Sequence, residues 1–443
     1  MRVLALFTRD LRLADNRLLD SGEVTPAFII DETLLRAHDN VFAQSFLADS
    51  LDDLDRQLGR HNSGLALTRG TLKSAFTSLI TQYKPELVRL ARDITPYAKR
   101  RERLIAEICR TQNTTLELVD QHWLLPFKTT TKPDGNPYVV FTPFYRHGNS
   151  LEIPRPTTRT VAFTKLRTNQ KLLTDLRPKS LSGVHTQTGG RAAAMARLHK
   201  PERYAGYNTD RNFPDRESTS QLSAHLHWGT ISPREMYRHL AESLGHDHGL
   251  IRQLWWREFY GSLAHHFPHI WHHNFRREFD ALDWQTAPEL LAAWQRGETG
   301  FPIVDAAMRC LNATGEMHNR LRLIAASFLV KDLQINWREG EAHFASRLVD
   351  FDKTLNNGNW QWVAGSGADA APYFRIFNPW LQQAKFDPKA HFIKRWCKEL
   401  AELEPADIHA PAAQRPNYPD PIVDHRAAAQ HALAMYAKIR KDT

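Results

Sequence analysis

Four side chains with aromatic, amide and cationic chemistry fall on one side of a predicted helix. They recur at spacings of three, four and seven residues: Gln253, Trp256, Arg257 and Tyr260. Residues at these spacings face the same way on an α-helix. A ring beside a fixed cation can stack on a flipped-out base while the cation meets its phosphate. Ordinary core packing explains the same stripe equally well, so both interpretations stay open at this point.

Hydroxyl groups collect a little earlier in the chain. Tyr207 is followed by the run Thr219-Ser220-Gln221-Leu222-Ser223, which lies at the start of a predicted helix. Hydroxyls and free backbone N–H groups at a helix start can bind phosphate oxygens. Simple helix capping uses the same residue types. The run by itself therefore indicates either a phosphate site or a cap.

Charged and amide residues follow further along. Asn319 and Leu323 are four residues apart on a predicted helix and face one way, whereas Arg322 faces another. A buried arginine needs a carboxylate partner, and Asp350 and Asp352 are the candidates. A solvated basic turn of helix is the alternative.

The segment Asn356-Asn357-Gly358-Asn359-Trp360-Gln361-Trp362 combines amides with two tryptophans. Paired asparagines with a glycine predict a turn with demanding backbone geometry. Because an amide both donates and accepts hydrogen bonds, Asn356 can support a ring nitrogen whose protonation changes with redox state. Taken alone, the segment is a turn whose tryptophans fill a core.

Short β-rich runs alternate with helical patterns near the N-terminus, and these elements must position part of the chemistry. The predicted strands are Val3–Phe7, Val24–Ile30, Leu65–Thr68, Leu87–Leu90 and Leu116–Val119. Between the second and third strands, apolar residues recur at helical spacing from Phe42 to Leu58. This alternation predicts a doubly wound α/β domain with a parallel sheet, residues 1–125. No GxGxxG follows the first strand, so the dinucleotide fingerprint is absent.

The rest of the chain has a different character. Residues 126–190 are rich in proline and lack periodicity, which predicts an inter-domain connection. Over residues 191–443 helical patterns replace the β pattern, and eleven of the 12 tryptophans lie between Trp228 and Trp396. We therefore predict an all-α C-terminal domain. Its helices are Arg191–Lys200, Ser232–Ser243, Leu250–His265, Ala287–Arg296, Pro302–Asn312, His318–Asp332 and Ala342–Leu348.

Bulk properties exclude several classes of protein. No apolar run approaches the ~20 residues that cross a bilayer, and the N-terminal apolar stretch is too short for a signal peptide. Cys109, Cys310 and Cys397 are far apart, with neither metal-type spacing nor a disulfide framework. We expect no metal site, no membrane association and a reducing, cytoplasmic location. The net charge of +9 favours a polyanionic partner.

In this order, these motifs closely resemble the photolyase/cryptochrome family, specifically the class I cyclobutane pyrimidine dimer (CPD) photolyases. The resemblance extends over nearly the whole chain and includes Phe7–Asn16, Phe141–Phe144, Gly300–Trp337 and Asp350–Asn378. It implies a helical domain that encloses FAD, and an α/β domain that can carry an antenna pigment. Methenyltetrahydrofolate and 8-hydroxy-5-deazaflavin are the candidate pigments. The resemblance also implies a monomeric enzyme that acts on UV-damaged DNA.

The resemblance assigns contacts to FAD residue by residue. It implies phosphate and ribityl contacts from Tyr207 and from the run Thr219–Ser223. Arg322 with Asp350 matches the buried ion pair beside the isoalloxazine ring, and Asp352 matches a flavin or ribose contact.

The redox side of the implied site consists of an amide and three indoles. Asn356 matches the residue that faces flavin N5, where family members with signalling roles often carry Asp or Cys. Three tryptophans match the family's electron chain: Trp360 nearest the flavin, Trp337 in the middle and Trp284 at the surface.

The resemblance also implies a lesion site. Trp256 and Trp362 match the stacking walls for a flipped-out dimer. Cations and amides match positions that contact DNA or lie near its path: Arg211, Gln253, Arg257, Asn319, Arg320, Arg375 and Gln382. The implied reaction is light-driven electron donation from reduced flavin to the dimer, which then splits. Photolyases are established base-flipping enzymes.

Four positions depart from the CPD photolyase pattern: Gln253 (usually Glu), Leu323 (usually Met), Gln221 (usually Arg) and Ser218 (usually Gly). The (6-4) photolyases share Gln at the position of Gln253 but carry two histidines where this chain has Asn319 and Leu323. We therefore reject (6-4) repair. The departures leave one alternative, a cryptochrome-like blue-light receptor that binds FAD without efficient repair.

Overall fold

The chain folds into two compact units. The computed structural model describes residues 1–181, 187–411 and 415–441, so residues 182–186 of the predicted connection lie outside it. The first unit comprises Met1–Ala205, Ser220–His266 and Val349–Asp352. The second unit comprises Gly206–Thr219, Phe267–Leu348 and Lys353–Thr443.

A parallel sheet forms the centre of the first unit. Its strands are β1 (Arg2–Phe7), β2 (Glu23–Asp31), β3 (Ala66–Gly70), β4 (Leu87–Ala91), β5 (Thr115–Val119) and β6 (Ala162–Phe163). The order is β3-β2-β1-β4-β5, and β6 pairs with the start of β2. The five predicted strands and the predicted α/β class are confirmed. The sixth strand was missed because it is two residues long and lies in the proline-rich connection.

Both faces of the sheet are buried, which explains why its strands are continuous apolar runs. Side chains alternate along a strand, so Val3, Ala5 and Phe7 of β1 join one hydrophobic cluster. Leu4 and Leu6 join the cluster on the opposite face. The strand order reverses direction between β1 and β4. Ligands of open α/β sheets bind at such a switch point, beyond the carboxyl ends of the strands.

Helices make up most of the remaining structure. In chain order they are α1 (Glu32–His38), α2 (Val41–Gly59), α3 (Leu72–Tyr83), α4 (Pro96–Thr111), α5 (Phe141–Asn149), α6 (Gln170–Leu176), α7 (Arg191–Leu198), α8 (Tyr207–Asp210), α9 (Ser223–Trp228), α10 (Pro233–Leu244), α11 (Gly249–His266), α12 (Pro288–Arg296), α13 (Pro302–Thr314), α14 (Asn319–Ser327), α15 (Trp337–Arg347), α16 (Lys353–Ala364), α17 (Pro379–Phe386), α18 (His391–Trp396), α19 (Pro405–His409) and α20 (His425–Lys441). The first unit contains α1–α7 and α9–α11, and the second contains α8 and α12–α20.

Two sequence predictions about helices need correction. The predicted turn at Asn356–Trp362 is wrong, because the segment lies inside α16. Tertiary partners outweigh the local turn preference there: Asn357 Nδ2 donates to the Ile270 carbonyl (3.3 Å) and Trp360 is buried. The predicted helix His318–Asp332 is divided, because α14 gives way to a π-helical turn over Phe328–Asp332.

Within residues 1–181, 187–411 and 415–441, no helix combines the length and the hydropathy that a bilayer requires.

Candidate active site

The three tryptophans of the expected electron chain differ in burial. Trp360 lies on α16 and is 2% exposed, and Trp337 begins α15 and is 1% exposed. Trp284 follows a short 3₁₀ helix, Arg277–Ala281, and is only half-buried. Two of the three indoles are therefore buried, and the third is partly exposed to solvent.

A glycine on α15, Gly340, leaves room for the Trp360 ring. A Cβ on Gly340 would lie 2.1 Å from Cη2 of Trp360 and 2.6 Å from Cδ2 of Leu329. The Trp360 ring also meets Phe344 edge-on, with centroids 5.0 Å apart, and Trp294 at 6.3 Å. Only glycine lets α15 and α16 approach closely enough for this packing, so the ring position is fixed from several sides.

Trp337 is held by polar contacts at its edge. Its Nε1 donates to Oδ1 of Asn274 (3.0 Å), and the Arg338 guanidinium lies 4.4 Å from the centroid of its ring. A polar cleft of about 230 Å³ runs along these residues and is lined by both Trp337 and Trp284. Trp284 also meets the buried Tyr436 edge-on, at 6.4 Å.

The amide of Asn356 has a defined orientation. Its Nδ2 donates to the backbone carbonyl of Glu341 (3.0 Å), and the residue is 9% exposed. With the donor end of the amide engaged, its oxygen is the end that can accept a hydrogen bond from a ligand. That arrangement fits a partner that carries an N–H group.

Asp352 belongs to a buried charge cluster in the first unit. Its Oδ2 accepts from Arg9 (2.7 Å) and lies 3.2 Å from His227 Nδ1, while the other end of Arg9 meets Asp93 (3.0 Å). Burial alone would raise the pKa of Asp352, but Arg9 and His227 hold it well below its usual value. Arg9 follows β1 and Asp93 follows β4, so the cluster fills the switch point of the sheet.

Groups of the hydroxyl run form hydrogen bonds within the protein, whereas, among the described residues, the hydroxyl of Ser218, just before the run, does not. Ser220 Oγ accepts from the backbone N–H of Leu222 (3.4 Å), and the Gln221 carbonyl accepts from Gln187 (2.9 Å). Ser218 Oγ is buried and lacks a hydrogen-bond partner in the described part of the chain. A buried hydroxyl without a partner is costly unless a ligand or water meets it. Tyr207, four residues before Arg211 in the second unit, is buried, and the Arg211 guanidinium lies 5.8 Å from its ring centroid.

Arg322 and Asp350 fall in different compact units. On α14, Nε of Arg322 donates to the carbonyl of Met317 (2.8 Å). Asp350 lies in the short segment Val349–Asp352 of the first unit. The ion pair that the family resemblance implies for these two residues stays a prediction.

Three arginines of the expected DNA-binding set come together in the second unit. Burial first, and then repulsion from Arg211 and Arg375, lowers the pKa of Arg320. Arg320 Nη2 donates to Asn212 (2.6 Å) and its guanidinium lies over the Phe386 ring at 4.3 Å. In the described ranges no carboxylate forms an ion pair with these arginines, which we call the arginine cluster. Uncompensated like charges of this kind favour a polyanion.

On α11 the expected lesion-stacking residue has one covered face. Trp256 is half-buried and stacks on Phe141 with centroids 3.7 Å apart and planes at 6°. Only the opposite face of the indole is left for a base. Gln253, three residues earlier on the same helix, is also half-buried.

The family resemblance implies that Arg257 contacts DNA, which stays a prediction, and the structure shows this side chain buried. Its side chain is 8% exposed, Nη1 donates to Glu258 (3.0 Å), and the guanidinium lies 4.5 Å from the Trp123 ring centroid. Burial raises the pKa of Glu258 to about 7, although Arg257 and the Leu124 N–H oppose the shift. Arg257 therefore stabilises the interior beneath α11, and the helix places it one position away from the exposed face.

The remaining expected contacts occupy the surface of the second unit. Asn319 is exposed at the start of α14, Trp362 is half-buried on α16, and Gln382 is half-buried on α17. Gln382 follows Leu381, which is 66% exposed. Within the ranges that the structure describes, no group of acidic, histidine and cysteine side chains could hold a metal ion.

Comparison with known proteins identifies the class. Residues 3–159 match the family model described as DNA photolyase, and residues 250–438 match the FAD-binding domain of DNA photolyase. The chain belongs to the DNA photolyase family. These matches confirm the prediction of an FAD-dependent DNA photolyase with a parallel-sheet domain and a helical FAD-binding domain.

Individual relatives cover nearly the whole chain. It is 36% identical to a deoxyribodipyrimidine photo-lyase from Synechococcus, over 99% of this chain and 97% of that one. Among solved structures, it is similar to an archaeal photolyase from Sulfolobus tokodaii with two FAD molecules (34% identity, TM-score 0.89, 99% and 100% of the chains covered). It is also similar to a Synechocystis cryptochrome (25% identity, TM-score 0.87, 98% and 99% covered).

Sequence reasoning missed several residues that shape the site. Arg9 lies two residues after a central strand, and that position beyond the carboxyl end of β1 is a signal that could have drawn attention to it. Phe141 was noted as part of a motif but given no role. Gly340 carries no signal in a single sequence, because its meaning depends on a ring twenty residues away.

Proposed function

We propose that this chain repairs cyclobutane pyrimidine dimers in DNA by light-driven electron transfer from FAD. The observation that carries this proposal is the arginine cluster, whose three cations have no carboxylate partner in the described chain. A DNA backbone supplies the anions that such a cluster lacks. The deoxyribodipyrimidine photo-lyases among the relatives support the choice of substrate.

The residues present fit FAD. The orphaned hydroxyl of Ser218 adjoins the run Thr219, Ser220, Gln221, Leu222 and Ser223, which we propose to bind the phosphates and ribityl chain together with Tyr207. Arg322, Asp350 and Asp352 would complete the flavin surroundings. The oriented amide of Asn356 would accept a hydrogen bond at flavin N5. Bound and reduced, FAD supplies the excited-state electron that splits the dimer.

The chain's own tryptophans would keep the cofactor in its working redox state. We propose that electrons pass from Trp284 through Trp337 to Trp360, in the direction from the half-buried indole to the buried ones. The polar cleft beside Trp337 and Trp284 gives solvent and small reductants access to the start of this relay. Edge-on aromatic packing around Trp360 keeps water away from its end.

In the part of the site that would bind the lesion, aromatic rings would stack on the dimer and cationic side chains would contact the DNA strand. The free face of Trp256 and the indole of Trp362 would hold the dimer, and Gln253 would donate one hydrogen bond to it. The arginine cluster, with Asn319 and Gln382, would contact the DNA strand. Arg257 would act as a positioning residue, because its ion pair with Glu258 holds the inner side of α11.

Further properties complete the proposal. We propose a monomer that works in the cytoplasm on UV-damaged DNA. We also propose a second, light-harvesting chromophore, either methenyltetrahydrofolate or 8-hydroxy-5-deazaflavin; the two FAD molecules of the Sulfolobus tokodaii photolyase support a second site in principle. The absorption spectrum of the purified protein distinguishes these pigments, and gel filtration measures the oligomeric state. The domain limits 1–125, 126–190 and 191–443 stay part of this proposal.

A repair assay tests the function. Reduced protein is illuminated with a thymine-dimer oligonucleotide, and recovery of absorbance near the thymine band is followed. We expect recovery in the light and none in the dark. A matched oligonucleotide with a (6-4) photoproduct should remain unrepaired, because Asn319 and Leu323 cannot act as the histidines of (6-4) enzymes.

The cryptochrome-like alternative gives a different result in the same assay. It predicts bound, photoreducible FAD with no recovery of absorbance from the dimer. That result would remove the repair proposal while leaving membership of the family intact.

A further inference from the structure

Three rings on α5 and α11 form a continuous stack in the first unit. Phe141 stacks on Trp256 at 3.7 Å and on Tyr145 at 5.8 Å, with interplanar angles of 6° and 17°. Trp256 and Tyr145 are half-buried, so the edges of the stack reach the surface. Together with Arg252, these rings make what we call the cation–aromatic surface.

Arg252 is held against this stack. It lies four residues before Trp256, so the two side chains share one face of α11. Its guanidinium is 5.3 Å from the Phe141 centroid and 5.2 Å from the Tyr145 centroid. Contacts with ring faces restrict a cation without neutralising it.

The charge of Arg252 is not compensated by a carboxylate. The side chain is exposed and forms no ion pair in the described ranges. Burial and then the carboxylate of Asp247 raise the pKa of Tyr145, so Asp247 is the acidic neighbour of this surface. It lies beyond ion-pair distance of Arg252, which leaves the guanidinium available to another anion.

A second pair of the same kind continues beside the first. Lys132 Nζ lies 6.0 Å from the Tyr138 ring centroid, and Tyr138 contacts Phe144 (6.2 Å) and His147 (5.7 Å) on α5. Cations interleaved with aromatic rings are the pattern of a surface that follows a nucleic-acid strand. An isolated small anion would need only one such pair.

We propose that Arg252 binds a backbone phosphate of DNA next to the damaged pair, and that Phe141 and Tyr145 hold its guanidinium in place. The planar guanidinium matches two phosphate oxygens at once. This inference rests on the proposed function, in which the free face of Trp256 stacks on the dimer one helical turn from Arg252. It adds a strand-contacting surface on α5 and α11 of the first unit, whereas the arginine cluster belongs to the second unit.

Salt dependence of binding in the dark tests this contact. Affinity for a dimer-containing duplex and for its undamaged counterpart is measured between 50 and 200 mM salt for the parent and Arg252→Gln. Loss of one phosphate contact should reduce the slope of log K against log salt by about 0.9. The fourfold rise in salt should then weaken the variant about 3.5-fold less than the parent. The ratio of the two affinities should not change, because a phosphate contact carries no base information.

Two further variants make the result decisive. Arg110→Gln removes an exposed arginine at the end of α4 and should behave like the parent. Arg252→Lys keeps the charge and should restore most of the slope. If Arg252→Gln and Arg110→Gln give the same slope and affinity, the inference is overturned. Failure of the proposed function is a separate outcome, seen as absence of repair in the illuminated parent, and it does not alter what the dark slope reports about Arg252.

Discussion

Helices α16 and α11 each carry one buried and one half-buried tryptophan, and the two rings with different proposed roles, Trp360 and Trp256, have opposite surroundings. On α16, Trp360 fits the notch left by Gly340 and is 2% exposed. On α11, Trp255 is sealed in the core, whereas Trp256 keeps one covered face and one open edge beside exposed Arg252. The Trp360 ring is buried among other aromatic rings. The Trp256 ring is partly exposed to solvent and has a cationic side chain on the same face of its helix.

This difference shows how one residue type serves two purposes. An indole packed edge-on against other rings can exchange an electron but cannot stack on an incoming base. An indole with one face covered and the other open can stack on one base only, so Phe141 determines the side from which a base arrives. The partners of each ring, rather than the tryptophan itself, separate the redox role from the recognition role.

The substitution Gly340→Ala should disturb the packing of the buried Trp360 on α16. Alanine normally stabilises a helix by about 0.5–1 kcal/mol relative to glycine. Here the new methyl would overlap Trp360 and Leu329, and overpacking costs about 1–3 kcal/mol. We expect a net loss of stability in urea unfolding and slower photoreduction of the flavin. Gly59→Ala at the end of α2, where nothing lies within 4 Å, is the control and should be neutral or slightly stabilising. If the Gly340→Ala protein is as stable as the parent, the packing of Trp360 does not require glycine at position 340.

The substitution Trp256→Ala should remove the stacking surface that α11 offers to a base. Loss of one base-stacking platform costs about 1–3 kcal/mol, so affinity for dimer-containing DNA should fall roughly five- to 150-fold. Affinity for undamaged DNA should change little, because its bases stay stacked in the duplex. Trp256→Phe keeps a ring against Phe141 and should retain most of the discrimination. Equal losses for both DNAs in Trp256→Ala would contradict the stacking role.

The buried charge cluster of Arg9, Asp93 and Asp352 should make the stability of the protein depend on pH. Asp352 is the residue before α16, so this dependence reports on the surroundings of that helix. Burial would raise the pKa of Asp93, but Arg9 and then His122 lower it to about 2. Because this folded-state pKa lies below the unfolded value near 3.9, the stabilisation is present above about pH 4 and is lost as pH falls towards 2. The contribution is about 2 kcal/mol.

Asp93→Asn isolates this contribution. The variant cannot titrate at this position, so between pH 5 and pH 2 its free energy of unfolding should fall about 2 kcal/mol less than that of the parent. Urea unfolding at a series of pH values, followed by circular dichroism, measures the difference. Parallel pH profiles for parent and variant would show that the Arg9–Asp93 ion pair does not hold the pKa down.

The sequence predicted the sheet well because strands buried on both faces are continuous apolar runs between turn signals. It predicted a turn at Asn356–Trp362 for a local reason, and the segment is helical because Asn356, Asn357 and Trp360 find distant partners. Arg257 shows the same limit in the site. Spacing placed it on the face of Trp256, but a buried Glu258 beside it, visible only in three dimensions, turns its guanidinium inward.

The most direct test of the division between relay and recognition is repair by Trp337→Phe. Photoreduction of oxidised flavin and single-turnover repair by chemically reduced protein are measured on the same preparation, with Trp294→Phe as a buried-tryptophan control. We predict that Trp337→Phe loses photoreduction and retains repair, while Trp294→Phe, which lies off the relay, retains both. Photoreduction in Trp337→Phe equal to that of the parent, or loss of repair together with photoreduction, would contradict the account.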